Sequence, residues 1–167
     1  MRQQLTDEYV SQLTRRDVLG LDVATLCGYH SIYDSGSIKF PTTAKAPKKM
    51  GVDYGQHKNF REWLIGLIEK YKFKALAIED VVFAHVMDFR KLCEFRGIVY
   101  EVAETCNIPI VAFKPCDIKK WATSNGNASK AQMVEYCKKR WHIDPVDDNE
   151  ADAIHIYMYF VHRYKLQ

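Results

Sequence analysis

The chain lacks the marks of several large functional classes. Its five cysteines (Cys27, Cys93, Cys106, Cys116 and Cys137) are odd in number, widely spaced and without a CxxC pair. That argues against a disulfide framework or a zinc site and suits a reducing cytoplasm. No apolar run approaches the ~18 residues of a membrane span, and the opening MRQQLTDEYV has no secretory apolar stretch. The expectation is a soluble, unexported protein with no membrane partner. Charge imbalance is small as well. With 24 Lys and Arg against 21 Asp and Glu, the net charge is +3, which permits nucleic-acid binding without arguing for it. Basic clusters stand at Lys45, Lys48 and Lys49, at Lys119 and Lys120, and at Lys138, Lys139 and Arg140; each taken alone is ordinary solvated surface. There is no internal repeat and no low-complexity tract.

What remains is globular in character. At 167 residues, with 47% hydrophobic and 27% charged residues, the chain is large enough to bury a core unaided. A single domain over 1–167 is expected, with 1–17 as a helical extension. Leu5, Tyr9 and Leu13 predict a short helix over Gln3–Thr14. Strands are expected at Val18–Leu26, Gly28–Asp34 and Ser37–Phe40, with a tight turn at Ser35 and Gly36. Pro41–Gly55 has no apolar period and reads as a loop. Phe60, Trp63, Leu64, Leu67, Ile68 and Tyr71 recur at helical spacing over Lys58–Tyr71. Ala75–Ile78 and Ile108–Phe113 are continuous apolar runs, the pattern of strands covered on both faces. Phe89–Cys106 is helical, with Gly97 as a point of close backbone approach. Further helices are expected at Pro115–Trp121, Lys130–Trp141 and Asn149–Arg163. Antiparallel strands followed by alternating helices and strands predict an α/β chain, a mixed sheet flanked by helices.

Three acids occupy costly positions. Asp22 lies within the first apolar strand, Glu79 ends the run Ala75–Ile78, and Asp152 sits between Ala151 and Ala153 on the last helix. A half-buried carboxylate needs a cation, a donor or a proton. Each acid alone has a plain explanation as a turn cap, a loop acid or an exposed helix acid. Together they point to a divalent cation: magnesium takes carboxylate, water and phosphate oxygens, and two ions about 4 Å apart suit phosphodiester hydrolysis.

With those positions in view, the sequence resembles the RuvC family of Holliday-junction resolvases. Asp22, Thr25, Gly28 and Tyr29 resemble the family's first acid, turn and Gly-aromatic pair. Glu79 with Val81, Val82 and Phe83 is similar to its second acid and the aromatic beyond it. Asn149 to Ala153 resembles the motif of the last helix, and KKWATSNGNASK at 119–130 resembles its lysine-bearing loop. The likeness runs from about residue 18 to 162. It implies a ribonuclease H-like fold and a magnesium-dependent endonuclease, with manganese as a possible substitute and two ions per site. It also implies branched DNA as substrate and a homodimer. Asp22, Glu79 and Asp152 would hold metal; Lys119, Lys120 and Lys130 would contact phosphate, with Lys130 beside the scissile group; Phe83 would stack on bases or belong to the core. The helix Asp88–Cys106 would lie against its mate, with Phe89, Leu92 and Phe95 at the interface or in the core. A bacterial cell or phage-infected host is the expected setting.

The departure from the pattern is Asn149, which stands where the family usually has a fourth acidic ligand. Its amide oxygen can coordinate a metal but carries no charge. Asp148, one turn before Asp152, is a second candidate, though capping the helix is its plainer role. Glu150 is expected to point elsewhere, and His155 to be satisfied within its helix. Two other functions stay open: a ribonuclease H-like nuclease for flaps, forks or RNA/DNA hybrids, and a branched-DNA-binding protein with weak catalysis.

Overall fold

Val18, Leu19, Leu21 and the whole run Ala75–Ile78 are shut off from solvent, so these two segments pair at the centre of the sheet. The computed structural model describes residues 5–43, 54–80 and 86–167, with side chains of the last stretch from Phe89 onward. Lys45, Lys48, Lys49, Val81, Val82 and Phe83 lie outside the described residues.

Among the described residues there are five strands, β1 (Val18–Asp22), β2 (Leu26–His30), β3 (Ser35–Lys39), β4 (Ala75–Glu79) and β5 (Ile110–Phe113). Their order is β3-β2-β1-β4-β5. β1 pairs antiparallel with β2 and parallel with β4, and β4 pairs parallel with β5. The expected mixed α/β sheet is therefore present. Helices α1 (Asp7–Ser11), α2 (Tyr54–Tyr71), α3 (Val86–Cys106), α4 (Pro115–Thr123), α5 (Lys130–Tyr136) and α6 (Asp148–Arg163) surround it.

Side chains alternate across each strand. Leu19, Leu21, Leu76 and Ile78 pack on one face with Phe60, Leu64, Phe95, Val99 and Val102 of α2 and α3. Val18, Ala75 and Ala77 point to the other face, against Ile156, Tyr157 and Phe160 of α6 and Ile118 and Met133 of α4 and α5. On that second face Gly20 admits α6: a Cβ there would lie 2.8 Å from the Ala153 carbonyl oxygen and from the Tyr157 Cβ.

Several expectations shift. The first strand stops at Asp22, and the hairpin turn falls at residues 31–34, not at Ser35 and Gly36. Ser31 Oγ accepts from the amides of Tyr33 and Asp34, and Asp34 Oδ1 accepts from the Ser35 amide. These short polar side chains close the turn themselves, leaving Gly36 in β3 opposite Tyr29. The N-terminal helix shortens to α1, capped by the Thr6 side chain, and a 3-10 turn follows at Arg15–Asp17. β5 begins at Ile110, because Asn107 turns left-handed (φ 53°) to end α3 and Pro109 follows. The helix from Lys130 widens into a π turn at Cys137–Trp141 and is stopped by left-handed His142. Gly97 is not a point of close approach: among the described residues nothing stands within 4 Å of a Cβ placed there.

Candidate active site

The parity that sorts the core also aims the acids. On β1 the residues facing α6 are Val18, Gly20 and then Asp22; on β4 they are Ala75, Ala77 and then Glu79. Leu21 stands in register with Ile78, so Asp22 and Glu79 end neighbouring parallel strands on the face that α6 covers. Asp152 enters from the first turns of α6, held in place by the close fit of that helix over Gly20 and Gly28.

Asp22, Glu79, Asn149, Asp152 and Lys130 line one cleft of about 460 Å³, together with Asp80, Leu92, Arg96, Pro115 and the Val23–Ala24 turn. Burial raises the Asp22 carboxyl well above the usual range, and the charges of Asp152 and Glu79 raise it further. Glu79 is pushed to about 7 by burial and by Asp152, with Lys119 and Arg96 opposing. Asp152 is pushed to about 6, chiefly by burial, while Lys130 and Lys119 pull it down. Three acids that repel one another in a poorly solvated cleft call for positive charge.

Asp148 does not line the cleft; its carboxylate receives the Lys130 ammonium. Nor does it cap the helix. Asp147 is the N-cap, accepting from the Glu150 amide through Oδ1 and from Ser37 Oγ through Oδ2. Glu150 points away as expected, buried and accepting from Ser35 Oγ and the Val146 amide. His155 is fully enclosed and takes no part: its Nδ1 accepts from Trp141 Nε1 and its Nε2 meets the Met133 carbonyl at 2.8 Å. Lys119 is close enough to act on both Glu79 and Asp152, whereas Lys120, next along α4, is exposed. In α3, Phe95 belongs to the core and Leu92 turns to the cleft.

Arg96 was not singled out from sequence. It is buried, its Nη1 donates to the Glu79 carbonyl, and its Nη2 donates to Tyr100 Oη at 2.7 Å and lies 3.4 Å from Asp80 Oδ1. The available signal was its spacing: Arg96 shares a helical stripe with Val99 and Ala103, both buried, and a cation on an apolar stripe needs a carbonyl or acid to meet it.

The donors around the cleft are carboxylate and amide oxygens, the chemistry that magnesium or manganese prefers. Among the described residues no three His, Cys, Asp or Glu side chains stand close enough together to hold a metal ion by themselves. The charges of Asp152 and Glu79 act unfavourably on Asp22, and a divalent cation would offset that repulsion.

Comparison with known proteins gives one consistent result. Residues 18–159 match the family described as crossover junction endodeoxyribonuclease RuvC. The RuvC of Brachyspira hyodysenteriae is 30% identical over 149 residues, spanning 83% of this chain and 89% of that protein. The RuvC of Syntrophomonas wolfei is 27% identical over 156 residues, spanning 89% and 90%. The fold resembles that of T. thermophilus RuvC, solved in complex with a Holliday junction substrate, with a TM-score of 0.69 at 17% identity over 89% of this chain and 94% of the other. It also resembles the yeast mitochondrial Holliday junction resolvase, with a TM-score of 0.60 at 16% identity over 93% and 84%. A ribonuclease H-like sheet, three converging acids and a family match from β1 through most of α6 lead to one conclusion: the chain belongs to the RuvC family of crossover junction endodeoxyribonucleases.

Proposed function

We propose that this chain acts as one domain and as a homodimer, hydrolysing phosphodiester bonds at four-way junctions and related branched DNA. The observation that carries this reading is the meeting of Asp22, Glu79 and Asp152, from three remote segments, in one cleft beside Lys130. The metal would be magnesium, with manganese able to substitute, and the ligands Asp22, Glu79, Asp152 and Asn149. Bound there, the ions supply Lewis-acid activation of water and neutralise charge on the leaving oxygen.

The remaining work falls to the protein. Asn149 offers a neutral oxygen at the cleft wall, so the fourth position attracts a cation less than an acid would. Lys130 is exposed and its pairing with Asp148 is a surface contact, weak enough to exchange for a phosphate oxygen. The half-buried Lys119 balances the acids and, with Lys120, presents charge to the backbone. Phe83 is assigned to base stacking by family likeness alone. The T. thermophilus relative is named in complex with a Holliday junction, which supports the substrate. A four-way junction has approximate two-fold symmetry, which favours a dimeric enzyme. No helix among the described residues is long and apolar enough to cross a membrane, and action on DNA in a bacterial or phage-infected cytoplasm follows from the proposed substrate.

The test uses labelled four-way junction, fork, linear duplex and RNA/DNA hybrid, with and without magnesium, and an Asp22→Asn variant. Paired cuts confined to the junction, absent in the variant, are expected. Preferential cutting of fork or hybrid would overturn the substrate, and tight junction binding without cleavage in either metal would overturn the enzyme.

A further inference from the structure

At the opposite end of α6 from the acids lies a second cavity, of about 550 Å³, walled by Trp121, Trp141 and Met158 and ringed by Arg15, Arg140, His162 and Lys165. None of its lining residues is acidic or shared with the cleft. His162 is ten residues beyond Asp152, about 15 Å along the helix. Arg15 precedes β1, whose far end carries Asp22.

The cations are neither paired with acids nor randomly held. Among the described residues Arg15, Arg140 and Lys165 form no salt bridge. Their neighbours in sequence behave differently: Lys138 pairs with Asp144 and Lys139 with Glu135. Arg140 instead lies over both indoles, 4.3 Å from the Trp121 ring centre and 4.6 Å from that of Trp141. Its Nη1 donates to the carbonyls of Trp121 and Ala122. Stacking fixes the plane of the guanidinium, and its Nε and Nη2 make no hydrogen bond among the described residues. Arg15 is tethered likewise, its Nε donating to the Leu166 carbonyl at 3.2 Å. Two guanidinium groups anchored on carbonyls and rings, with an ammonium beside them, repel one another until an anion enters.

We propose that this cavity is a phosphate-binding site that holds the backbone of a DNA arm away from the cleavage cleft. A guanidinium fork matches phosphate oxygens in a bidentate manner. The phosphate chemistry follows from the cavity; the choice of DNA as its source rests on the nuclease reading above. Binding here would add to grip without touching the reacting bond.

The chain holds three tryptophans, two in the cavity and the third, Trp63, in α2 on the other face of the sheet. Their indole N–H resonances therefore report the site with an internal control. The protein would be titrated without magnesium, separately with inorganic pyrophosphate, an unbranched DNA duplex and a polyglutamate peptide. The expected result is movement of the Trp121 and Trp141 signals with pyrophosphate and duplex, with Trp63 still and polyglutamate inert. In Lys165→Gln, which alters an exposed side chain, the movement should weaken and the salt slope of duplex binding should fall by about 1. Arg140→Gln should do the same. Signals unmoved by either phosphate ligand overturn the site. Movement with pyrophosphate but not duplex, or with polyglutamate, overturns DNA as its occupant. The pyrophosphate arm reads the cavity even if the cleft proves not to cut DNA.

Discussion

Gly28 and Asn149 touch through their backbones: a Cβ on Gly28 would lie 1.9 Å from the Asn149 carbonyl oxygen and 2.3 Å from its carbonyl carbon. This contact lets the first turn of α6 rest on β2, opposite Asp22 in the ladder, and so sets where Asn149 and Asp152 enter the cleft.

Gly28→Ala should therefore push α6 off the sheet. A cost of about 2–3 kcal/mol is expected, lowering the melting temperature by roughly 5–10 °C, and magnesium-dependent cleavage should fall further than stability alone explains. Gly97→Ala is the control. With open space at that position, removing a helical glycine should stabilise by about 0.5–1 kcal/mol. Thermal melts and cleavage assays on both variants check the pair.

The acids make metal-free stability depend on pH. Glu79 rises from 4.5 to about 7 and Asp152 from 3.8 to about 6 on folding, so the folded chain binds protons that the unfolded chain releases. Their stabilising protonation is complete below about pH 4 and is lost as pH rises through 6 to 7. In EDTA the protein should thus lose stability from pH 5 to 8, by up to about 3 kcal/mol from Glu79. Glu79→Gln should flatten that decline, and magnesium should restore stability at pH 8 in the wild type only. A melting temperature that stays level from pH 5 to 8 in EDTA would contradict the coupling.

Asn149 and Asp148 make opposite predictions. Asn149 lines the cleft and Asp148 is engaged with Lys130. Asn149→Asp should lower the magnesium concentration for half-maximal cleavage. Asp148→Asn should leave that concentration nearly unchanged and alter junction affinity through the freed Lys130. Magnesium titrations of cleavage separate the two; a large rise in the requirement for Asp148→Asn would make Asp148 the ligand.

Arg96 holds the end of β4 through the Glu79 carbonyl. Arg96→Gln should raise the magnesium requirement and destabilise by about 1–3 kcal/mol, since the carbonyl and Tyr100 lose a charged donor. Arg96→Lys should recover part of the stability but not the magnesium response, because an ammonium cannot span the Glu79 carbonyl, Tyr100 and Asp80 together. Equal recovery of both would reduce Arg96 to a packing role.

The sequence was a good guide where one residue type in one local pattern had only one inexpensive use. The apolar runs starting at Val18 and Ala75 announced buried strands carrying Asp22 and Glu79, although Asp22 was expected inside its strand and stands at its end. The stripe of α6 announced Asp152 on a core-facing helix. The family likeness rested on these same residues, and the structure brings Asp22, Glu79, Asn149, Asp152 and Lys130 to one cleft. Turn placement was harder to read, because Ser35 and Gly36 have turn composition too, while the turn is closed by side-chain hydrogen bonds of Ser31 and Asp34.

Other features depend on contacts between segments far apart in the chain, which no local pattern records. Arg96 meets Glu79 across 17 residues, Lys130 meets Asp148 across 18, and Gly28 meets Asn149 only when α6 lies on β2. Arg140 looked like one more surface cation beside Lys138 and Lys139 until folding placed two indoles against it. The sequence by itself determined which residues were available and which face of each strand or helix they occupy, because those follow from periods of 2 and 3.6 residues. Only the tertiary structure decided which charges meet, since electrostatic energy depends on distance through space and on the water excluded between groups, not on separation along the chain.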